Sequence, residues 1–153
     1  MLKTLQNSIK QIQKHLTKSF SMQVTPLRYH DDNYCYMVKH TNDKMYKVVD
    51  PGDTEKILKF LSKNSILVDS ILITHKHWDH IGDIDQFCYQ LSKIQKALGN
   101  NQDVKLYAGK KDLVSGTTEE LGVNGPEDKF TFENFEMTCL QSPCHTRGHT
   151  LFY

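Results

Sequence analysis

Residues 74–80 constrain this chain more than any other stretch, because three histidines and one aspartate lie within these seven residues, directly after an apolar run. His75 and His77 are two residues apart in a segment expected to be extended, so both side chains lie on one side and can bind one ion. Asp79 and His80 offer an oxygen and a nitrogen to a second ion. These ligand types favour zinc, iron or manganese over calcium or magnesium. The alternative is a histidine-rich surface turn, but such a dense group of ligands indicates a metal site.

A second histidine-containing stretch, residues 142–149, follows the last strand that the sequence predicts. Gly148 allows the backbone to approach a ligand closely. His145 and His149 are four residues apart and could both bind an ion if the segment were helical. After a strand, and with a glycine between them, a loop that offers one ligand is favoured. We assign that role to His149, which leaves His145 as a supporting or structural residue beside the site.

The remaining pattern predicts an α/β domain over residues 21–153. Alternating apolar and polar residues predict strands, whereas apolar residues recurring every three or four positions predict helices. Strands are predicted at 22–27, 34–40, 45–49, 70–74, 104–108, 130–132 and 135–141, and helices at 54–63 and 84–98. The metal-binding stretch therefore follows the carboxyl end of a buried strand and leads into a helix. Layered α/β domains commonly place their chemistry at this position.

Residues 1–20 differ from the rest, because their apolar residues recur at the spacing of an amphipathic helix and no acidic residue precedes Asp31. One interpretation is a cleavable targeting segment, which would imply a mitochondrial location. The other is a plain N-terminal helix that packs on the domain or on another subunit, which agrees with a cytoplasmic location. The sequence leaves both open.

Composition excludes several classes of function. A formal net charge of +1 over 153 residues offers no field that would recruit nucleic acid. No apolar run approaches the roughly 20 residues that a membrane-spanning helix requires. The four cysteines form no C-x-x-C pair, so we expect reduced thiols in an intracellular protein rather than a disulfide framework or a structural zinc site.

Taken together, the two stretches resemble the metallo-β-lactamase superfamily and, more narrowly, glyoxalase II, the hydroxyacylglutathione hydrolases. Residues 74–80 match T-H-x-H-x-D-H with the tryptophan common in this branch, and residues 142–149 match T-P-C-H-T-x-G-H except for serine at the first position. The resemblance spans residues 22–153 and implies an αββα sandwich with the metals at one edge. It assigns the first ion to His75, His77 and His149, and the second to Asp79 and His80. Asp50 would lie beside the site.

The resemblance also implies a reaction. Two divalent ions, zinc first and iron or manganese as alternatives, would promote hydrolysis of an acyl-glutathione thioester to a hydroxy acid such as lactate and free glutathione, a step in methylglyoxal detoxification. Asp79 would orient or deprotonate the attacking water. Nothing in the residues alone specifies glutathione. The alternatives are another hydrolase of this fold, such as a lactonase or a nuclease, and a non-catalytic remnant; the near-neutral charge disfavours the nuclease.

Family members carry a bridging aspartate and a further histidine beyond the second stretch, followed by helices that hold glutathione. The sequence shows only four residues after His149. We therefore expect an incomplete sandwich that corresponds to the N-terminal half of a family member. We also expect metal binding that is weak or confined to the first ion, and little thioester hydrolysis.

Overall fold

The structure is a computed structural model that describes residues 22–153; the amphipathic segment predicted at residues 1–20 lies outside this range. The described chain forms nine strands, three α-helices and one 3-10 turn at Lys110–Asp112. The strands are β1 (Met22–Tyr29), β2 (Asn33–His40), β3 (Tyr46–Val49), β4 (Val68–Leu72), β5 (Lys105–Gly109), β6 (Glu119–Leu121), β7 (Glu127–Thr131), β8 (Glu136–Gln141) and β9 (Thr150–Phe152). The helices are α1 (Thr54–Lys63), α2 (Trp78–Ile81) and α3 (Ile84–Ala97).

The strands form two sheets. The larger has the order β1-β2-β3-β4-β5-β6, in which β1, β2 and β3 pair antiparallel and β3 to β6 pair parallel. Parallel neighbours need a crossover connection. Helix α1 connects β3 to β4, and helix α3 lies in the connection from β4 to β5. The smaller sheet is antiparallel, with the order β7-β8-β9. The carboxyl ends of β3, β4 and β5 consequently lie side by side at one edge of the larger sheet.

Two apolar cores cover the two faces of the larger sheet. On one face, Ile71 of β4 packs in a cluster with Ile57 of α1 and Phe87 of α3. On the other face, the next residue of β4, Leu72, packs in a second cluster with Met137 of β8. Successive strand residues point to opposite faces, so the apolar residues Ile71 and Leu72 at the carboxyl end of β4 are buried on opposite sides of the sheet. The described residues thus form an α/β/β stack, three of the four layers of the expected αββα sandwich, which agrees with the incomplete form expected from the sequence.

Local side chains explain where both long helices begin. The Asp53 carboxylate accepts a hydrogen bond from the Lys56 amide at 3.0 Å, and the Asp83 carboxylate accepts one from the Gln86 amide at 3.0 Å. Each aspartate therefore satisfies an amide that has no partner within its helix. Asp83 had no role in the sequence interpretation; it begins α3 immediately after the predicted metal-binding stretch.

The sequence did not predict β6, because residues 109–126 are polar and contain four glycines. β6 is a short edge strand in which only Leu121 is fully buried, so it shows no alternation strong enough to recognise. β7 was placed too far along the chain, at 130–132, and extends over Glu127–Thr131. In the part of the chain that the structure describes, no helix is both long and apolar enough to cross a membrane.

Lys47 is a buried cation beneath the turn that joins β7 to β8. Its side chain is 2% exposed, and its ammonium lies 3.0 Å from an Asp69 oxygen and 3.4 Å from an Asp43 oxygen. The same ammonium lies over the rings of Phe132 and Phe135, 4.8 and 5.2 Å from their centroids. This lysine therefore joins β3 and β4 of the larger sheet to the turn of the smaller one.

Candidate metal centre

Five histidine rings surround the carboxyl end of β4. The centroid of His75 lies 4.8 Å from that of His77, 4.1 Å from His80, 4.6 Å from His145 and 5.5 Å from His149. The first three follow β4, and the other two come from the loop between β8 and β9. The fold therefore brings the two predicted stretches together at one edge of the larger sheet.

Within this cluster, His75, His77 and His145 form the group that could hold one ion. Each offers a ring nitrogen, and these atoms all lie within 4.8 Å of one another. His149 is outside the group, and its ring centroid lies 6.2 Å from that of His145. In this geometry His145 is grouped with His75 and His77, whereas the sequence favoured His149 as the ligand and His145 as its support.

The conformation of the second loop explains why His145 is grouped with His75 and His77. The Ser142 amide donates a hydrogen bond to the His149 carbonyl at 2.7 Å, which closes residues 142–149 into a loop. His145 lies in the middle of this loop and is exposed, and its ring lies 4.6 Å from the rings of both His75 and His77. His149 lies at the base of the loop and is partly buried. The spacing of four residues does not indicate which ring faces the ion, because that depends on the closure of the loop.

The hydrogen bonds around Thr74 show which nitrogen of His75 is free. The Thr74 hydroxyl donates to an Asp50 oxygen at 2.6 Å and lies 2.9 Å from His75 Nδ1. Because the hydroxyl proton is already used, His75 Nδ1 must carry a proton and donate it to the hydroxyl. The neutral ring then has its lone pair on Nε2, a buried atom without a hydrogen-bond partner among residues 22–153. Such an orphaned acceptor fits a metal ligand.

Asp50 connects this pair to His80. It lies just past the end of β3, is 5% exposed and has a φ of 51°, in the left-handed region that few non-glycine residues adopt. One carboxylate oxygen accepts the Thr74 amide at 2.8 Å, and the other accepts His80 Nδ1 at 2.9 Å as well as the Thr74 hydroxyl. His80 is thereby left with Nε2 as its free nitrogen. The structure thus places Asp50 directly beside the histidines.

Asp79 and His80 lie together next to the three-histidine group. An Asp79 oxygen lies 3.5 Å from His80 Nε2 and accepts a hydrogen bond from the Asn33 side chain at 3.0 Å. The Tyr29 hydroxyl donates to the Asp79 carbonyl at 2.7 Å. Burial raises the pKa of Asp79, but the bond from Asn33 and the nearby histidines lower it further, so the pKa is below its ordinary value. Asp79 and His80 could therefore offer two ligands to a second ion.

In metal-free protein we expect the pKa values of two neighbouring histidines to be shifted in opposite directions. Burial, and after it the charge of His80, lowers the pKa of His75 from 6.5 to about 4, whereas the hydrogen bond to Asp50 raises the pKa of His80 above 6.5. NMR titration of the ring protons measures both midpoints. A shared midpoint near the ordinary value of 6.5 would contradict this arrangement.

The same pKa shifts determine at which pH each of the two histidines contributes to the stability of the fold. For His75 the folded pKa is the lower one, so its contribution is present above pH 6.5 and is lost as the pH falls towards 4. For His80 the folded pKa is the higher one, so its contribution is present below pH 6.5 and is lost as the pH rises through the folded pKa.

Two residues of this region were missed in the sequence. Asn33, the first residue of β2, was given no role at the site. Asp112 ends the 3-10 turn after β5, and its carboxylate accepts hydrogen bonds from both histidine-bearing loops. The signal for Asp112 was available, because it follows β5 as the histidines follow the parallel strand β4.

The fold and the histidine cluster define a class of protein. Residues 28–151 match the family model of the metallo-beta-lactamase superfamily. The chain therefore belongs to the metallo-beta-lactamase superfamily.

Within that class the chain is similar to hydroxyacylglutathione hydrolases. It is 35% identical to the cytoplasmic hydroxyacylglutathione hydrolase of Arabidopsis thaliana over 123 residues, which is 80% of this chain and 43% of the relative. It is 32% identical to the hydroxyacylglutathione hydrolase of Shewanella halifaxensis over 133 residues, 86% of this chain and 47% of the relative. The chain spans about half the length of these curated relatives.

Solved structures support the fold. The BLEG-1 B3 metallo-beta-lactamase superposes with a TM-score of 0.58 at 22% identity, covering 86% of this chain and 66% of that one. TTHA1623, solved in a di-iron-bound form, superposes with a TM-score of 0.55 at 24% identity, covering 85% and 66% of the two chains. At these identities the likeness shows a shared fold.

Proposed function

We propose that this chain provides the metal centre of a thioester hydrolase that acts on acyl-glutathione. The observation that carries the proposal is the convergence of His75, His77 and His145, with His75 Nε2 buried and without a partner among the described residues. The similarity to hydroxyacylglutathione hydrolases supports the substrate class. The products would be a hydroxy acid, such as lactate, and free glutathione.

His75, His77 and His145 would hold the first divalent ion, and Asp79 and His80 would contribute to a second. We propose zinc, with iron or manganese as alternatives, because imidazole nitrogen with carboxylate oxygen suits these metals. When bound, such an ion acts as a Lewis acid and lowers the pKa of bound water. Because the first position has three histidines and we assign only Asp79 and His80 to the second, we expect one firmly held ion per chain.

The protein groups around the ion have separate roles. Asp50 holds His80 by its Nδ1 and, through the Thr74 hydroxyl, holds His75 by its Nδ1, so both rings present Nε2. Asp79 has a lowered pKa and is therefore ionised near neutral pH. It can accept a hydrogen bond from water and orient that water towards a thioester carbonyl. Asn33 keeps the carboxylate in place by donating to it.

The test is a metal and activity measurement on the purified chain. After equilibrium dialysis against zinc, we expect about one ion per chain and slow release of free thiol from S-lactoylglutathione that a chelator abolishes. Turnover should be slow because the second ion has few ligands. A lactone substrate assayed in parallel distinguishes another hydrolase of this fold. A chain that binds no zinc, or hydrolysis that a chelator leaves unchanged, would contradict the proposal.

A further inference from the structure

Asp112 is a buried carboxylate that lies between the two histidine-bearing loops. It is 5% exposed, and three donors surround it. One of its oxygens accepts the Lys76 amide at 3.0 Å and the Thr146 hydroxyl at 2.6 Å, and the other accepts the Gly148 amide at 2.8 Å. Both oxygens are therefore occupied, and neither contacts a histidine directly.

Two of these donors are sequence neighbours of the histidines that could hold the ion. Lys76 lies between His75 and His77, and Thr146 directly follows His145. One carboxylate is thus bonded to the residue next to every member of the group that could hold the ion. The two loops are remote in the sequence, so their separation depends on contacts of this kind.

Close packing adds to the constraint. A Cβ atom built on Gly148 would lie 2.6 Å from the Asp112 amide nitrogen, and one built on Gly109 would lie 1.8 Å from the Gly148 carbonyl oxygen. The end of β5 and the second loop therefore meet backbone to backbone. Separately, the Thr150 amide donates to the Thr74 carbonyl at 2.8 Å and joins the bases of the two loops. Asp112 joins the same two loops at residues adjacent to the histidines.

A carboxylate suits this position better than any other side chain. All three contacts are donors to Asp112, and an ionised carboxylate has only acceptors. Asparagine has the same shape but would place an amino group against at least one of the backbone amides. Its effect should therefore be to shift one loop relative to the other, with little change in volume.

We propose that Asp112 is a positioning residue that sets the separation of His145 from His75 and His77, and thereby the affinity of the centre for a divalent ion. This inference rests on the proposed metal centre. Supporting residues of this type commonly change metal affinity by about 10- to 100-fold when they are replaced.

The test compares cobalt binding by four variants with that of the unchanged chain. Asp112→Asn removes the carboxylate, and Thr146→Val removes one contact while Thr146→Ser retains its hydroxyl. Asp85→Asn is the matched control, because it makes the same change at an exposed carboxylate whose partner is the Ser115 hydroxyl at 2.9 Å. Each protein is titrated with Co²⁺ against a competing chelator, at a temperature where circular dichroism shows it to be folded. The visible absorption of bound Co²⁺ reports the ligand geometry.

We expect Asp112→Asn to weaken Co²⁺ binding by about 10- to 100-fold and to alter the absorption bands. Thr146→Val should weaken binding in the same direction, and Thr146→Ser and Asp85→Asn should bind like the unchanged chain. A purely structural role would lower the melting temperature and leave the affinity and bands of the folded protein unaltered, which would overturn the inference. If Asp112→Asn does not fold, equal affinities of Thr146→Val and Thr146→Ser overturn it. If the unchanged chain binds no Co²⁺, the metal centre and this inference are both wrong.

Discussion

Replacing His145 by alanine is expected to weaken binding of Zn²⁺ or Co²⁺ by more than about 100-fold, beyond the usual effect of a supporting residue. His145 belongs to the group whose ring nitrogens all lie within 4.8 Å, so its loss leaves two histidines for the first ion. His149→Ala should have a smaller effect, because its ring lies outside the group. Isothermal titration calorimetry, with a competing chelator for tight binding, measures both affinities.

The two variants decide whether His149, favoured by the sequence, or His145, favoured by the geometry, binds the ion. His40→Ala serves as control, since His40 ends β2 and does not belong to the histidine cluster. If His149→Ala abolished metal binding and His145→Ala left it intact, the assignment made from the sequence would be right, and the loop would have to rearrange around the ion. Equal losses in both variants would indicate that the two rings bind together.

Replacing Lys47 by alanine is expected to lower the free energy of unfolding by about 3 to 5 kcal/mol, the usual cost of removing one partner from a buried ion pair. The change leaves the carboxylates of Asp43 and Asp69 without their cation, and Asp43 is only 5% exposed. It also removes the contacts with Phe132 and Phe135. Equilibrium unfolding in urea, monitored by circular dichroism, gives the difference.

Lys105→Ala is the matched control. The Lys105 ammonium lies 2.7 Å from a Glu119 oxygen, a shorter contact than either of those of Lys47, but its side chain is 57% exposed. An exposed ion pair contributes little to stability, so this variant should be nearly as stable as the unchanged chain. If both variants lost the same small amount, the Lys47 ammonium would have to reach water in solution, and the buried pair would not stabilise the fold.

Local patterns predicted the parts of the structure that depend on neighbouring residues. α1 and α3 follow from apolar spacing, and β4 from an apolar run that is buried on both faces. The stretch at residues 74–80 identified the family because all its ligands come from one loop. These features need no knowledge of distant contacts, which is why the class of fold and the edge that carries the site could be predicted.

The remaining features depend on residues that are far apart in the sequence. The grouping of His145, rather than His149, with His75 and His77 depends on how their loop closes onto the first stretch. Lys47 occurs in an ordinary strand pattern, and only the approach of the second sheet buries it. Asp112 acquires its role from two loops that meet at the end of β5. Sequence spacing carries no information about any of these three sets of long-range contacts.

The hydrogen bonds of Asp50 affect how favourably an ion would bind. Its carboxylate holds the His80 ring directly and the His75 ring through one hydroxyl. The rotational freedom of these two side chains is therefore lost when the chain folds, and an arriving ion does not have to order them. These two rings would therefore add little ordering cost to the binding of an ion. The positive φ of Asp50 is a local backbone strain at the residue that holds both rings.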